Sequence, residues 1–212
     1  MNRWSVLSRR RLLHLGGGVA SVVAAPALLS PARAQAGRLP TPAQTEGPFY
    51  PLDLPDDTDF DLLRNGPARY GRGTPTWVEG VVTDTAGVPV RGAQVEIWQC
   101  DHQGRYHHPG DGNRADQAFQ GFGRVAVDAQ GAYRFRTLRP VAYRSRTPHI
   151  HVKVRLDGQD LLTTQLYVAG DPGNKRDVLW RRLNAEGRAA LTVPFVPGAD
   201  GARATFPIVV QA

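Results

Sequence analysis

His149-Ile-His151-Val-Lys-Val-Arg-Leu156 runs into Asp157-Gly158-Gln-Asp160 and then into Leu161-Leu-Thr-Thr-Gln165-Leu-Tyr-Val168. Two β-branched, apolar-rich runs flank a turn containing Asp-Gly, which is a short-range signature of a β-hairpin. Residues two apart on a strand share a face, so His149 and His151 stand side by side, about 7 Å apart along the chain. Ile150, Val152 and Val154 then point to the opposite, core-facing side.

Outward from this hairpin, the same short-strand grammar recurs. Trp77–Thr83 ends at Asp84-Thr-Ala-Gly87, and Ala93-Gln-Val-Glu-Ile-Trp98 alternates apolar and polar residues. Gly123–Val127 and Ala132–Arg136 flank a second turn, Asp128-Ala-Gln-Gly131. Ala189–Val193 and Thr205–Val210 read as further strands, and a short helix is expected near Lys175–Arg182. Such spacing predicts an all-β fold, an antiparallel β-sandwich over residues 76–212. Residues 35–75 are Pro-rich and aperiodic, which resists helix and central strand alike and predicts an extended N-terminal arm.

Residues 1–34 have the three parts of an export signal. Arg9-Arg10-Arg11 precedes an apolar run from Leu15 to Leu29, and Ala32-Arg33-Ala34 ends it. The paired arginines point to the twin-arginine route and a periplasmic or extracellular destination, with an uncleaved anchor as the alternative. Without the five arginines of this leader, the 26 basic residues fall to 21 against 19 acidic ones. That balance excludes a nucleic-acid surface and leaves no membrane partner once the leader is processed. The lone Cys100 precludes an intramolecular disulfide and reads as a small buried apolar side chain.

His149 and His151 can be aimed together, and imidazole ligates Zn, Cu, Fe and Ni. Tyr143 just upstream and Tyr106 in Gly104-Arg-Tyr106 add two phenols. A phenol with a pKa near 10 ligates when a strongly charged metal displaces its proton, which makes a trivalent iron the natural candidate. Spacing alone leaves alternatives open: strand His as polar face, Tyr as rim residues, or His102, His107 and His108 as a separate metal-binding tract.

Four motifs occur in order: Thr45-Glu-Gly-Pro-Phe-Tyr-Pro51, Glu96-Ile-Trp-Gln-Cys-Asp101 leading into Gly104-Arg-Tyr106, Arg146-Thr-Pro-His-Ile-His151, and Thr164-Gln165-Leu-Tyr167. Together they resemble the intradiol ring-cleavage dioxygenases, the family of protocatechuate 3,4-dioxygenase and catechol 1,2-dioxygenase. The resemblance implies a β-sandwich holding non-haem Fe(III), with a small-molecule catechol and O2 as substrates and a cis,cis-muconate-type dicarboxylic acid as product. It implies Tyr106 and His151 as equatorial ligands and Tyr143 and His149 as the axial pair, with Tyr143 leaving the metal to accept a substrate proton. Arg146 would stabilise developing ring charge, and Gln165 would orient substrate or ligands. Family members often assemble through their sandwiches, so a homo-oligomer is compatible with this reading.

The chain also departs from the better-known members. Only five residues separate Tyr143 from His149, where longer enzymes insert a larger loop, and this places the substrate question there. The 178 residues after the leader (212 less 34) leave no room for the N-terminal helical dimerisation domain of catechol 1,2-dioxygenases. The rival readings are a non-catalytic transthyretin-like sandwich and a metal-binding module built on His102, His107 and His108.

Overall fold

The computed structural model describes residues 37–212, so the Arg-rich leader expected over 1–34 lies outside the described residues. Within the arm, β1 (Arg64–Asn65) pairs with β2 (Ala68–Arg69). The body continues as β3 (Pro75–Asp84), β4 (Gln94–Trp98), β5 (Phe122–Ala126), β6 (Ala132–Leu138), β7 (His149–Leu156) and β8 (Gln159–Val168). Helices α1 (Val178–Arg182) and α2 (Ala185–Leu191) follow, then β9 (Thr192–Val193), β10 (Ala202–Thr205) and β11 (Ile208–Val210). One sheet has the order β5-β4-β7-β8-β9; the other is built on β3, with β6 on one side and β10 then β11 on the other.

The two sheets face each other across an apolar core. Val78 and Val82 of β3 and Phe135 of β6 are fully buried, as are Val95, Ile97, Ile150 and Val154 of the larger sheet. Each such side chain contributes about 1.5–3 kcal/mol on leaving water. The alternation expected of β7 is therefore realised, with Ile150, Val152 and Val154 in this core.

The ladders β3–β6, β4–β5, β4–β7 and β7–β8 are antiparallel, as expected. At the sheet edges β9, β10 and β11 pair in parallel, so the sandwich is mixed. Side-chain alternation identifies a strand but not its direction, and a parallel pair needs a long crossover that local patterning does not reveal. The strand expected over Thr205–Val210 is broken at Phe206-Pro207. There β10 ends and β11 begins, and the Phe206 carbonyl lies 2.1 Å from where a Cβ on Gly80 would sit. Proline has no N–H for the ladder, and only glycine tolerates that approach. The strand expected at Ala189–Val193 is largely helix: Asn184 caps α2 by accepting from Gly187 N at 2.8 Å, and the Ala-rich segment propagates it to Leu191.

The arm closes one side of the sandwich. Thr41 N donates to Val209 O (2.9 Å), Gln44 N to Thr163 O (2.8 Å), and the Thr164 hydroxyl to Pro42 O (2.7 Å). It then crosses the outer face of the larger sheet, where Glu46 pairs with Lys153 at 2.5 Å and the Tyr50 hydroxyl donates to Glu96 at 2.8 Å. A polar sheet face is thus converted into an interior. Among the described residues no helix is long and apolar enough to cross a membrane.

Candidate active site

The roofed face of β7 carries His149 and His151, each only 1% exposed. Register places His151 opposite Trp98 of β4 and Gln165 of β8, and His149 opposite Tyr167. Residues directly opposite share a face, so strand pairing alone aligns Trp98, His151 and Gln165 in one row. The Trp98 indole stacks on the His151 ring with centroids 4.7 Å apart and planes within 10°.

Loops bring the two phenols to this row. Tyr106 follows β4 in a loop held on buried carboxylates. Asp101 accepts from Gln103 N (2.8 Å), Arg105 N (3.0 Å) and Asp116 N (3.0 Å), and Asp111 accepts from Tyr106 N (2.9 Å). Tyr143 opens a tight turn closed by Arg146 N donating to Tyr143 O at 2.9 Å, with Arg144 at φ +50°. That left-handed residue costs about 1–2 kcal/mol and compacts the link to β7. Its guanidinium reaches Asp111 at 3.1 Å, tying the two phenol-bearing loops together.

The four rings form a closed circuit. Centroids are 5.1 Å apart for Tyr106–Tyr143, 5.6 Å for Tyr143–His149, 4.8 Å for His149–His151 and 6.3 Å for Tyr106–His151. His149 and His151 approach through their Nε2 atoms at 3.2 Å. The Nδ1 of His149 lies 2.6 Å from Thr147 O; a carbonyl only accepts, so Nδ1 carries the proton and Nε2 keeps its lone pair.

Burial sets the protonation states. It lowers the His149 pKa to about 4, with the Arg146 charge adding to the effect. His151 is pushed well below its ordinary value by burial and then by His149, so both imidazoles are neutral at neutral pH. Burial raises Tyr106 well above the ordinary phenol value, and Cys100 and Tyr143 push the same way. Tyr143 is also raised by burial, with Arg146 drawing it back. The Tyr106 hydroxyl is buried with no hydrogen-bond partner among the described residues. Two neutral imidazoles and two phenols, one of them with an unpartnered buried hydroxyl, fit a metal cation, which would displace the phenolic protons.

Arg146 sits beside this circuit in a network the linear sequence does not announce. Its Nε donates to Asp177 at 2.7 Å and its Nη2 to Gln165 Oε1 at 2.6 Å. The Gln165 Nε2 donates to Thr45 O at 3.0 Å, and the Tyr167 hydroxyl donates to Gln44 Oε1 at 2.6 Å. Gly47 of the arm packs on His151: a Cβ there would stand 3.3 Å from His151 Cε1, and its φ is +76°. Asp177, Tyr167, Gln44 and Gly47 were not singled out from sequence. The Thr45–Pro51 motif contains Gly47 and the Thr164–Tyr167 motif contains Tyr167, while Gln44 and Asp177 lie outside both.

The sequence family described as Dioxygenase matches residues 45–211. Relatives include hydroxyquinol 1,2-dioxygenase of Rhodococcus opacus, 36% identical over 148 residues (61% of this chain, 47% of the relative). The protocatechuate 3,4-dioxygenase beta chain of Burkholderia cepacia is 39% identical over 137 residues (59% of this chain, 58% of the relative). The chain belongs to the intradiol ring-cleavage dioxygenase family. Among solved structures, this family member is similar to the dioxygenase domain of a dioxygenase carbohydrate-binding protein fusion from Streptomyces sp. SirexAA-E. That match has a TM-score of 0.63 at 32% identity, covering 82% of this chain and 99% of that one. The chain spans about half the length of the curated relatives it matches.

Family membership also frames the side chains outside the circuit. The His102 Nδ1 meets the Tyr70 hydroxyl, His107 Nε2 meets Phe119 O at 2.5 Å, and His108 Nδ1 accepts from Gly110 N at 2.9 Å. Each of the three is engaged separately, and His108 is buried rather than solvated as a loop residue would be. No group of three His, Cys, Asp or Glu converges among the described residues. Cys100 is 1% exposed, and burial pushes its thiol up to about 12, in keeping with a small core residue. Two cavities lie near the site. One of about 180 Å³ lies beside Tyr106, Trp98 and Phe49, and one of about 260 Å³ beside Arg146 and Thr147.

Proposed function

We propose that the chain is a non-haem Fe(III) intradiol dioxygenase. It would open a catechol-type ring between the two hydroxyl-bearing carbons and place both atoms of O2 in a cis,cis-muconate-type dicarboxylic acid. The observation that carries this reading is the closed circuit of Tyr106, Tyr143, His149 and His151 in a member of this family. These four would hold the iron. When bound, Fe(III) supplies Lewis acidity and a path for electron density between the catechol and O2.

The protein's own groups do the rest. Tyr143, beside Arg146, is placed to hold a proton at its phenol oxygen, and a catechol binding through both oxygens has two to lose. Arg146 presents a fixed positive charge toward the site for negative charge developing on the ring. Gln165 holds Arg146 through Oε1 and the arm through Nε2, so it orients both. Trp98, Phe49 and Phe122 exclude water around the phenols. The cavity of about 180 Å³ beside Tyr106 suits a single aromatic ring, since about 150 Å³ holds benzene.

Purified protein should be red to burgundy and contain iron. It should consume one O2 per catechol and yield the intradiol product across a panel of catechol, hydroxyquinol and protocatechuate. A colourless protein with stoichiometric zinc would overturn the reading. We further propose that the leader directs twin-arginine export of the folded chain, so Arg9→Lys with Arg10→Lys should retain it in the cytoplasm. We propose assembly into a homo-oligomer as well, checked by light scattering.

A further inference from the structure

Asp177 is the N-cap of α1, and its carboxylate is fully buried. It accepts four N–H groups, divided between its oxygens. Oδ1 takes Leu179 N at 2.9 Å and Trp180 N at 3.1 Å, the two amides that a helix N-cap ordinarily serves. Oδ2 takes Arg146 Nε at 2.7 Å and Thr147 N at 3.0 Å, which the helix does not require. One oxygen is structural, and the other faces the candidate active site.

The second oxygen holds two residues that adjoin the circuit. Arg146, anchored by Nε, has its Nη2 directed at Gln165 Oε1, opposite His151 in the ladder. Thr147, anchored by its N–H, presents its carbonyl to His149 Nδ1 at 2.6 Å. That contact fixes the tautomer leaving Nε2 free, and such outer contacts set ligand orientation. A partly buried guanidinium without a counter-charge would also be costly, so the carboxylate holds Arg146 in place as well as aiming it.

We propose that Asp177 is the positioning residue of this site, orienting Arg146 for the ring and His149 for the metal through a single carboxylate oxygen. This rests on the dioxygenase reading above. Asp177 touches neither substrate nor metal in this role; it acts through Arg146 and Thr147.

Its two duties can be separated. Asp177→Ser keeps a capping hydroxyl for Leu179 and Trp180 and removes the partner of Arg146 and Thr147, whereas Asp177→Ala removes both. In the iron-loaded protein, Asp177→Ser should lose roughly 100-fold in kcat, the scale of losing a preorganised electrostatic contact. Its KM should stay within about twofold of the parent, while its iron affinity should fall by roughly 10–100-fold, the scale of losing an outer contact to a ligand. The Ala variant should match Ser in kcat and differ from it in Tm, since only the cap separates them. In the metal-free proteins, the His149 Nδ1 proton should shift and exchange faster in both variants, read by NMR. If the Ser variant keeps kcat within threefold and leaves the Nδ1 proton unmoved while the Ala variant falls in Tm, Asp177 is a helix cap only and the proposal is overturned. A parent without activity on any catechol removes the dioxygenase reading instead, and the NMR comparison still decides whether Asp177 orients His149.

Discussion

The Nε2 atoms of His149 and His151 stand 3.2 Å apart on one strand, each ring buried and neutral. Two neutral imidazoles that close can share one proton or one metal ion, and the proton of His149 is committed at Nδ1 to Thr147. Replacing either His by Ala should weaken iron binding by roughly 100-fold or more, exceeding the 10–100-fold of outer-contact changes. Iron per chain after dialysis against a chelator checks this, and retention of full iron in both variants would remove the pair from the site.

The two phenols should account for the colour. Tyr106→Phe and Tyr143→Phe should each weaken and shift the visible band, and the double variant should be colourless. Tyr143→Phe should additionally lower kcat by roughly 10²–10⁴-fold if its oxygen handles a substrate proton. Absorption spectra at matched iron content separate these effects.

Gly47 is in the left-handed region and lies against the His151 ring. Gly47→Ala should cost about 1 kcal/mol in backbone strain and press on His151, lowering Tm by roughly 2–4 °C. Gly47→Val should be worse, since a branched side chain must displace the imidazole or lift the arm. Thermal unfolding and the visible spectrum report the two consequences separately.

Arg146→Ala should keep colour and catechol binding while kcat falls by roughly 10²–10³-fold. Loss of iron with the colour would assign Arg146 a structural role.

Acid stability should follow Asp177. Burial pushes its carboxyl up, but hydrogen bonds from Arg146, Trp180 and Thr147 outweigh it and hold the folded value below the ordinary 3.8. A depressed carboxyl contributes stability that is complete above the unfolded value and is lost as pH falls through the folded one. Denaturant midpoints should therefore drop below about pH 4 in the parent, and less steeply in Asp177→Ser. Parallel acid limbs in the two proteins would contradict this.

Much of the site was legible because it lies on strands. Period-two alternation separated His149 and His151 from Ile150, Val152 and Val154, and the hairpin turn brought Gln165 opposite His151. Tyr106, Tyr143 and Arg146 were legible as motif residues rather than as geometry. Asp177 was not, because it lies 31 residues from Arg146 and reads locally as an ordinary helix cap. Of the strand expected over Ala189–Val193, Thr192–Val193 is strand and Ala189–Leu191 closes helix α2, because a few apolar residues fit either period.

The sequence by itself determined which side chains share a face, because strand alternation is a property of the local backbone. It determined the donor chemistry too, since two phenols and two imidazoles are residue identities. Tertiary structure decided what that face becomes. Glu46, Gly47 and Tyr50 of the arm roof a polar row and turn it into an interior, and the burial thus imposed makes both imidazoles neutral. It also decided strand direction at the sheet edges and the Asp177–Arg146 contact. Both depend on chain segments distant in sequence, and the free energy of such a contact exists only once the fold has brought its partners together.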